Sequence, residues 1–196
     1  MTKNIGVSEQ EIKSSLKSFT PAFGRQEILK VDGKNVQIFL SKNPTSFNES
    51  LRTIADLKAP ARNATQSVAG GKNVLLVLND RIPDGRDVSW IWDVDFEDYV
   101  NKFSNITVSG DRTYDMALRM RYAIQNSKLK GQNYGSTSSP SRAKSRDNSK
   151  VKIYEDLGEA IKNTLKILIE NKTLFILPTY SAMLEVRKIL TGKKIL

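Results

Sequence analysis

The residues most able to do chemistry crowd into one stretch, "VLLVLNDRIPDGRDVSWIWDVDFED", from Val74 to Asp98. An apolar run leads into Asn79, Asp80, Asp84 and Asp87. Trp90 and Trp92 follow, and then Asp93, Asp95, Glu97 and Asp98. The gathering of acids stands out because the chain as a whole carries a net charge of +10. Asp93, Asp95, Glu97 and Asp98 suit the start of a short helix, with Asp93 and Asp95 as caps. Asp84 and Gly85 have turn chemistry. Asp87 comes after the turn and just before the aromatic pair, which would shield it from water. A shielded carboxylate can hold an imidazole in one tautomer and steady its protonated form. This chain has no histidine and no cysteine. Asp87 is therefore either structural, or it serves an imidazole brought by another polypeptide.

The same composition excludes several classes. A self-contained Ser-His-Asp or Cys-His hydrolase is impossible, as are disulfides and thiolate metal sites, and no metal site is expected. No G-x-x-x-x-G-K-[ST] and no G-x-G-x-x-G after a strand occurs, so the chain is not expected to bind and split a nucleotide by itself. Other groups could meet a ligand. Lys42 and Asn43, in "SKNP", follow a strand, where they serve either as helix entry or as ligand contacts. Arg25, in "FGRQ", is either a surface charge or a phosphate contact. The basic excess raises nucleic-acid binding as a possibility. Much of it lies in residues 128–150, "KLKGQNYGSTSSPSRAKSRDNSK", which hold Lys128, Lys130, Arg142, Lys144, Arg146 and Lys150 against the one acid Asp147. With Tyr134 as its single aromatic, that segment offers no stacking platform and reads as a flexible basic insertion. No nucleic-acid partner is expected.

These residues need a scaffold. Ser8 and Glu11 have capping-box spacing ahead of Ile12, Leu16 and Phe19. "QEILKVDGKNVQIFLS" reads as a hairpin turning at Asp32-Gly33. After Pro44, Thr45 or Ser46 can cap a helix running to about Leu57. Strand then helix repeats: "NVLLVLN" and Asp95–Phe103, "NITVSG" and a helix capped by Asp111, "VKIY" and "EDLGEAIKNTLKILIE", "TLFILP" and "TYSAMLEVRKIL". In the Asp111 helix Met116, Leu118, Met120 and Ala123 form the apolar face. The alternation predicts an α/β, Rossmann-like fold. It should have a mostly parallel five- to six-stranded sheet, helices on both faces and an N-terminal β-hairpin. Functional loops belong at the carboxyl ends of the strands. No apolar run is long enough to cross a bilayer, and "MTKNIGVSEQ" lacks a signal-peptide core.

Four blocks resemble a known family. "GRQEILKVDGKNVQIFLSKNPTSFNESL", "LNDRIPDGRDVSWIWDVDFE", "TYDMALRMRYA" and "LPTYSAMLEVRKIL" look like the C-terminal domain of MurT, the Mur-ligase-like subunit of lipid II isoglutaminyl synthase. D-G-R-D-x-S-W-I-W-D is the most specific piece. The resemblance implies residues 1–22 as a remnant helix of the Mur ligase central domain and residues 23–196 as the C-terminal domain. It implies a GatD-type glutaminase as partner, with Asp87 completing its Cys-His pair. It also implies the ATPase domain, in cis or in trans, with ATP and Mg in the full complex and no cofactor on this domain alone. Lipid II would be the substrate, its D-glutamate amidated to D-isoglutamine in the cytoplasm at the inner face of the membrane. By the same resemblance Arg25, Lys42 and Asn43 face the nucleotide or the interdomain cleft. Asn79, Asp80, Asp84, Arg86, Trp90 and Trp92 belong to the partner interface. The family's lipid II-binding region, P-loop ATPase domain and zinc ribbon precede this part, so the chain reads as a truncated form, a split subunit or a gene fragment. Alone it is expected neither to hydrolyse ATP nor to amidate.

Overall fold

The computed structural model describes residues 6–18, 25–57, 71–130, 150–169 and 172–192. Strand β1 (Arg25–Val31) and strand β2 (Lys34–Phe39) form the expected hairpin. Asp32 and Gly33 take φ of 49° and 75°, the left-handed pair that a two-residue turn between right-twisted strands requires. The other strands are β3 (Lys72–Val77), β4 (Phe103–Ser109), β5 (Val151–Ile153) and β6 (Thr173–Pro178). The sheet order is β1-β2-β6-β3-β4-β5, and only the β1–β2 pairing is antiparallel.

Side chains alternate across the sheet and are buried on both faces, which explains why β3 and β6 are almost wholly apolar. Val74 and Leu76 of β3 join Phe47, Leu51 and Ile54 of α2 (Pro44–Asp56), Phe96 of α3 (Phe96–Tyr99) and Met116 and Met120 of α4 (Thr113–Lys130). Leu75 and Val77 join Leu157, Ile161 and Leu165 of α5 (Leu157–Ile167), with Ala182, Met183 and Val186 of α6 (Tyr180–Thr191). Helix α1 (Glu9–Ser18) has the expected capping box: Ser8 Oγ accepts from Glu11 N–H at 3.2 Å, and Glu11 Oε2 accepts from Ser8 N–H at 2.9 Å. It buries no side chain among the described residues.

Several local expectations need correction. Helix α2 is capped by Asn43, not by Thr45 or Ser46. Asn43 Oδ1 accepts from Ser46 N–H at 2.8 Å, and Ser46 Oγ accepts from Asn43 N–H at 3.2 Å. Pro44 then occupies the first helical position, where its missing N–H costs nothing. Asp111 does not cap α4; its carboxylate is taken by Arg81 at 2.8 Å. Asp95 occupies the N-cap position of α3 without a side-chain cap bond. It pairs instead with Asn48, accepting from Nδ2 at 2.7 Å and donating its N–H to Oδ1 at 2.9 Å. Leu118 is half-exposed, and Arg119 takes the buried place beside Met116 and Met120. Lys128 to Lys130 still belong to α4, while residues 131–149, the body of the expected insertion, lie outside the described residues. No helix among the described residues is long and apolar enough to cross a membrane.

Candidate functional site

The strand order reverses between β3 and β6, and open α/β sheets place ligands and partners at the carboxyl ends of the strands around such a point. The backbone ladder persists there: Thr179 N–H donates to Val77 O at 3.0 Å and Leu78 N–H to Ser109 O at 3.1 Å. Asn79 ties the three strand ends together. Its N–H donates to Thr179 Oγ1 at 3.0 Å, its Nδ2 to Ser181 Oγ at 3.1 Å, and its Oδ1 accepts from Asp111 N–H at 2.9 Å. Gly110 makes that approach possible. It has φ of 106°, and a Cβ there would lie 2.6 Å from Leu78 O and 2.7 Å from Asn79 Oδ1. Asn79 is 1% exposed. The structure thus places it beneath the loop that follows rather than on an outer face.

That loop is fastened at every turn. Asp80 pairs with Arg112 at 3.1 Å. Arg81 bridges Asp111 and Glu185, and both partners hold its guanidinium pKa above the ordinary value. Arg81 O receives the N–H groups of Asp84 and Gly85, and Gly85 has the φ of 86° that closes the turn. Asp84 reaches across to the start of α6. Its Oδ1 accepts from Ser181 N–H at 2.9 Å and its other oxygen from the Ser181 hydroxyl. It acts as a cap donated by a distant segment, with its charge at the positive end of the helix dipole. Arg81 also walls an open cleft of about 550 Å³ with Asp111, Glu155, Glu185 and Lys188, residues the sequence did not mark as a site.

Asp87 follows, in a turn of its own. Its Oδ1 accepts from Ser89 N–H at 2.8 Å. The Ser89 backbone N–H, and after it the Ser89 side chain, hold the carboxyl below the usual carboxylate value. It is exposed, as is Arg86, so the expected aromatic shield over Asp87 is absent. The 3-10 helix Ser89–Asp93 directs the rings elsewhere. Trp90 packs on Phe47, centroids 6.0 Å apart. Trp92 leans edge-on against Tyr122 of α4 at 5.6 Å, lies 5.5 Å from the Arg119 guanidinium, and keeps 48% of its surface. Val88 and Ile91 are buried beneath, so Asp87 is an outward carboxylate on an anchored base.

The base depends on a pair that sequence reasoning missed. Arg119 is 3% exposed and meets both oxygens of Glu97 at 2.8 Å. It also donates to the carbonyls of Ile91 at 3.0 Å and Val94 at 2.6 Å. The available signal was an arginine one residue from Met120 and three from Met116 on the inner side of a helix. Arg25, Lys42 and Asn43 gather at another corner. Arg25 stands opposite Phe39 in the hairpin, three positions before Lys42, and both cations are exposed. A bulge follows Arg25, where Gln26 has φ of 61°. Asn43 is committed to capping α2. Among the described residues no group of His, Cys, Asp or Glu could hold a metal ion.

Comparison with known proteins agrees with this architecture. The chain is 34% identical over 122 residues to the lipid II isoglutaminyl synthase (glutamine-hydrolyzing) subunit MurT of Staphylococcus aureus, covering 62% of this chain and 25% of that protein. It is 28% identical over 195 residues to the subunit of the same name from Streptococcus pneumoniae, covering 97% of this chain and 35% of that protein. The chain thus spans a quarter to about a third of the curated relatives it matches. Among solved structures, MurF from Acinetobacter baumannii superposes with a TM-score of 0.56 at 17% identity, over 98% of this chain and 35% of that one, a likeness of fold. The profile of the MurT ligase C-terminal family matches residues 40–183, and the chain belongs to that family.

Proposed function

We propose that this chain is the partner-docking domain of a MurT-like subunit of lipid II isoglutaminyl synthase, and that it lends Asp87 to the active site of a GatD-type glutaminase. The observation that carries the reading is Asp87 itself: an exposed carboxylate, fixed by Ser89 and kept ionised, on a chain with no imidazole of its own. Docked, its outer oxygen accepts the Nδ1–H of the partner's histidine. That bond selects the tautomer whose other nitrogen takes the proton from a cysteine nucleophile, and the negative charge steadies the imidazolium that results. The ammonia released from glutamine would serve ATP-dependent amidation of the lipid II D-glutamate at a centre outside the described residues. Arg25 and Lys42, exposed at one corner of the sheet, are assigned to the cleft facing that centre. The sequence has no G-x-x-x-x-G-K-[ST] loop and the described residues hold no metal cluster, so ATP and Mg belong to that same centre in this reading.

The test is glutamine hydrolysis by the assembled complex, comparing the wild type with Asp87→Asn. Asparagine keeps the shape, loses the charge and can impose the wrong tautomer. Turnover is expected to fall by between about tenfold and about 10⁴-fold, with binding of the glutaminase retained. Equal turnover would reduce the domain to a binding scaffold.

A further inference from the structure

Asp87 is wet in the isolated chain, yet a triad carboxylate works best away from water. The surface on either side of it in the sequence suggests how the water leaves. Five residues before Asp87, Ile82 is 85% exposed beside Pro83. Its turn is not loose: Arg81 is ion-paired to Asp111 and Glu185, and Asp84 is bound to Ser181. A large aliphatic side chain held outward on so braced a turn gains nothing from the fold of this chain. Five residues after Asp87 stands Trp92, 48% exposed. It continues onto α4, where Leu118 and Tyr122 are 48% and 46% exposed. Tyr114, Leu118, Tyr122 and Leu129 share one outward arc of α4, opposite the buried Met116, Met120 and Ala123. Helix α4 is therefore apolar on two sides, and among the described residues only one of them is buried.

We infer that Ile82 on one side, and Trp92 with Leu118 and Tyr122 on the other, are the apolar anchors by which the imidazole-bearing partner subunit docks, and that this contact seals Asp87 from water. The inference rests on the reading of Asp87 given above. Scale commits it to that partner. A 3-10 helix rises about 2 Å per residue, so the short segment from Asp87 to Trp92 spans on the order of 10 Å. A stable interface covers about 800 Å² per partner, a disc roughly 30 Å across. An interface of that size centred on Asp87 is wide enough to take in Trp92 and its neighbours on α4. Charges around Asp87 alone would make a poor contact, because interface energy concentrates in a few desolvated aromatic or aliphatic anchors ringed by weaker contacts. The partner face should accordingly offer an apolar pocket for Ile82 and a groove for the α4 ridge, on either side of its histidine.

The experiment uses the assembled complex and two variants, Ile82→Ser and Leu118→Ser, which replace exposed apolar side chains that cannot hydrogen-bond. The dissociation constant for the glutaminase is read by titration calorimetry, with the thermal melt of the unbound chain as control. Each variant is expected to weaken binding at least about tenfold, the usual cost of losing an anchor, without lowering the melting temperature. Hydroxyl-radical footprinting should show Ile82, Trp92, Leu118 and Tyr122 protected in the wild-type complex. Unchanged affinity in both variants, or undiminished labelling of these side chains, overturns the inference while leaving Asp87 in place. Unchanged turnover in Asp87→Asn overturns the catalytic reading while leaving the anchors in place.

Discussion

The family resemblance assigns Asn79 and Asp84 to the partner interface, and the residues themselves mark Asp84 as turn chemistry. Their bonds turn inward instead. The buried Asn79 donates to the hydroxyls of Thr179 and Ser181, just past the end of β6, and accepts the N–H of Asp111. Replacing it by alanine leaves the Asp111 N–H without its acceptor and the Ser181 hydroxyl without its donor. A buried polar group left unmatched costs about 1–3 kcal/mol. Urea denaturation of Asn79→Ala is expected to show a loss in that range, with an unchanged dependence on denaturant. A loss below about 0.5 kcal/mol, the usual surface effect, would show that the junction is not the clamp described. Asp84→Ala removes a cap worth about 1 kcal/mol and also frees the turn that carries Ile82. It should therefore weaken docking more than Asn79→Ala does, a difference the same calorimetric titration would measure. Nothing in sequence spacing distinguishes an asparagine that faces a partner from one that bridges strand ends, since the bridge is made with Thr179 and Ser181, a hundred residues away.

Between elements, the decisive contact is the clamp of Arg119 on the segment from Ile91 to Glu97. It holds the base of the Asp87 loop against α4 with two carbonyl bonds and a two-pronged ion pair. Arg119 stacks 5.2 Å from the Phe96 ring as well. Removing one member of a buried pair leaves the other charge uncompensated, at about 3–5 kcal/mol, so Arg119→Met is expected to destabilise by about 3 kcal/mol or more. Glu97→Gln should cost less, because the two carbonyl bonds survive. The pair also sets an acid limit. The Arg119 guanidinium holds the Glu97 carboxyl below its ordinary 4.5. Its stabilisation is therefore fully present above about pH 4.5 and is lost as pH falls through the lowered folded value. Stability measured from pH 6 downward should decline more steeply for the wild type than for Glu97→Gln; parallel curves would remove the pair from the account. The elements themselves were legible in the sequence. The two-residue hairpin turn, the alternation of strand and helix, and the all-apolar β3 and β6 each follow from local chemistry. Caps were less so: the pattern left Asn43 open between helix entry and a ligand contact and took Asp111 for a cap, because the partner that claims each side chain is decided by tertiary neighbours.

For the molecule as a whole, a net charge of +10 and an apolar docking ridge suggest opposite behaviours in salt. Half of that excess, six cations less one acid, belongs to residues 128–150, away in sequence from Ile82, Asp87 and Trp92. If binding were carried by cations on a phosphate backbone, six to ten contacts would lose about 10³–10⁵ in affinity between roughly 50 and 200 mM salt. Burial of Ile82, Leu118 and Tyr122 depends little on ionic strength, and exposed ion pairs contribute little at any salt. Association with the glutaminase is therefore expected to change less than about tenfold across that range. Deleting residues 131–149 should leave both that affinity and glutamine hydrolysis by the complex intact. A salt slope as steep as that of a phosphate binder, abolished by the deletion, would instead make the basic segment the docking element. The ridge on α4 would then need another occupant.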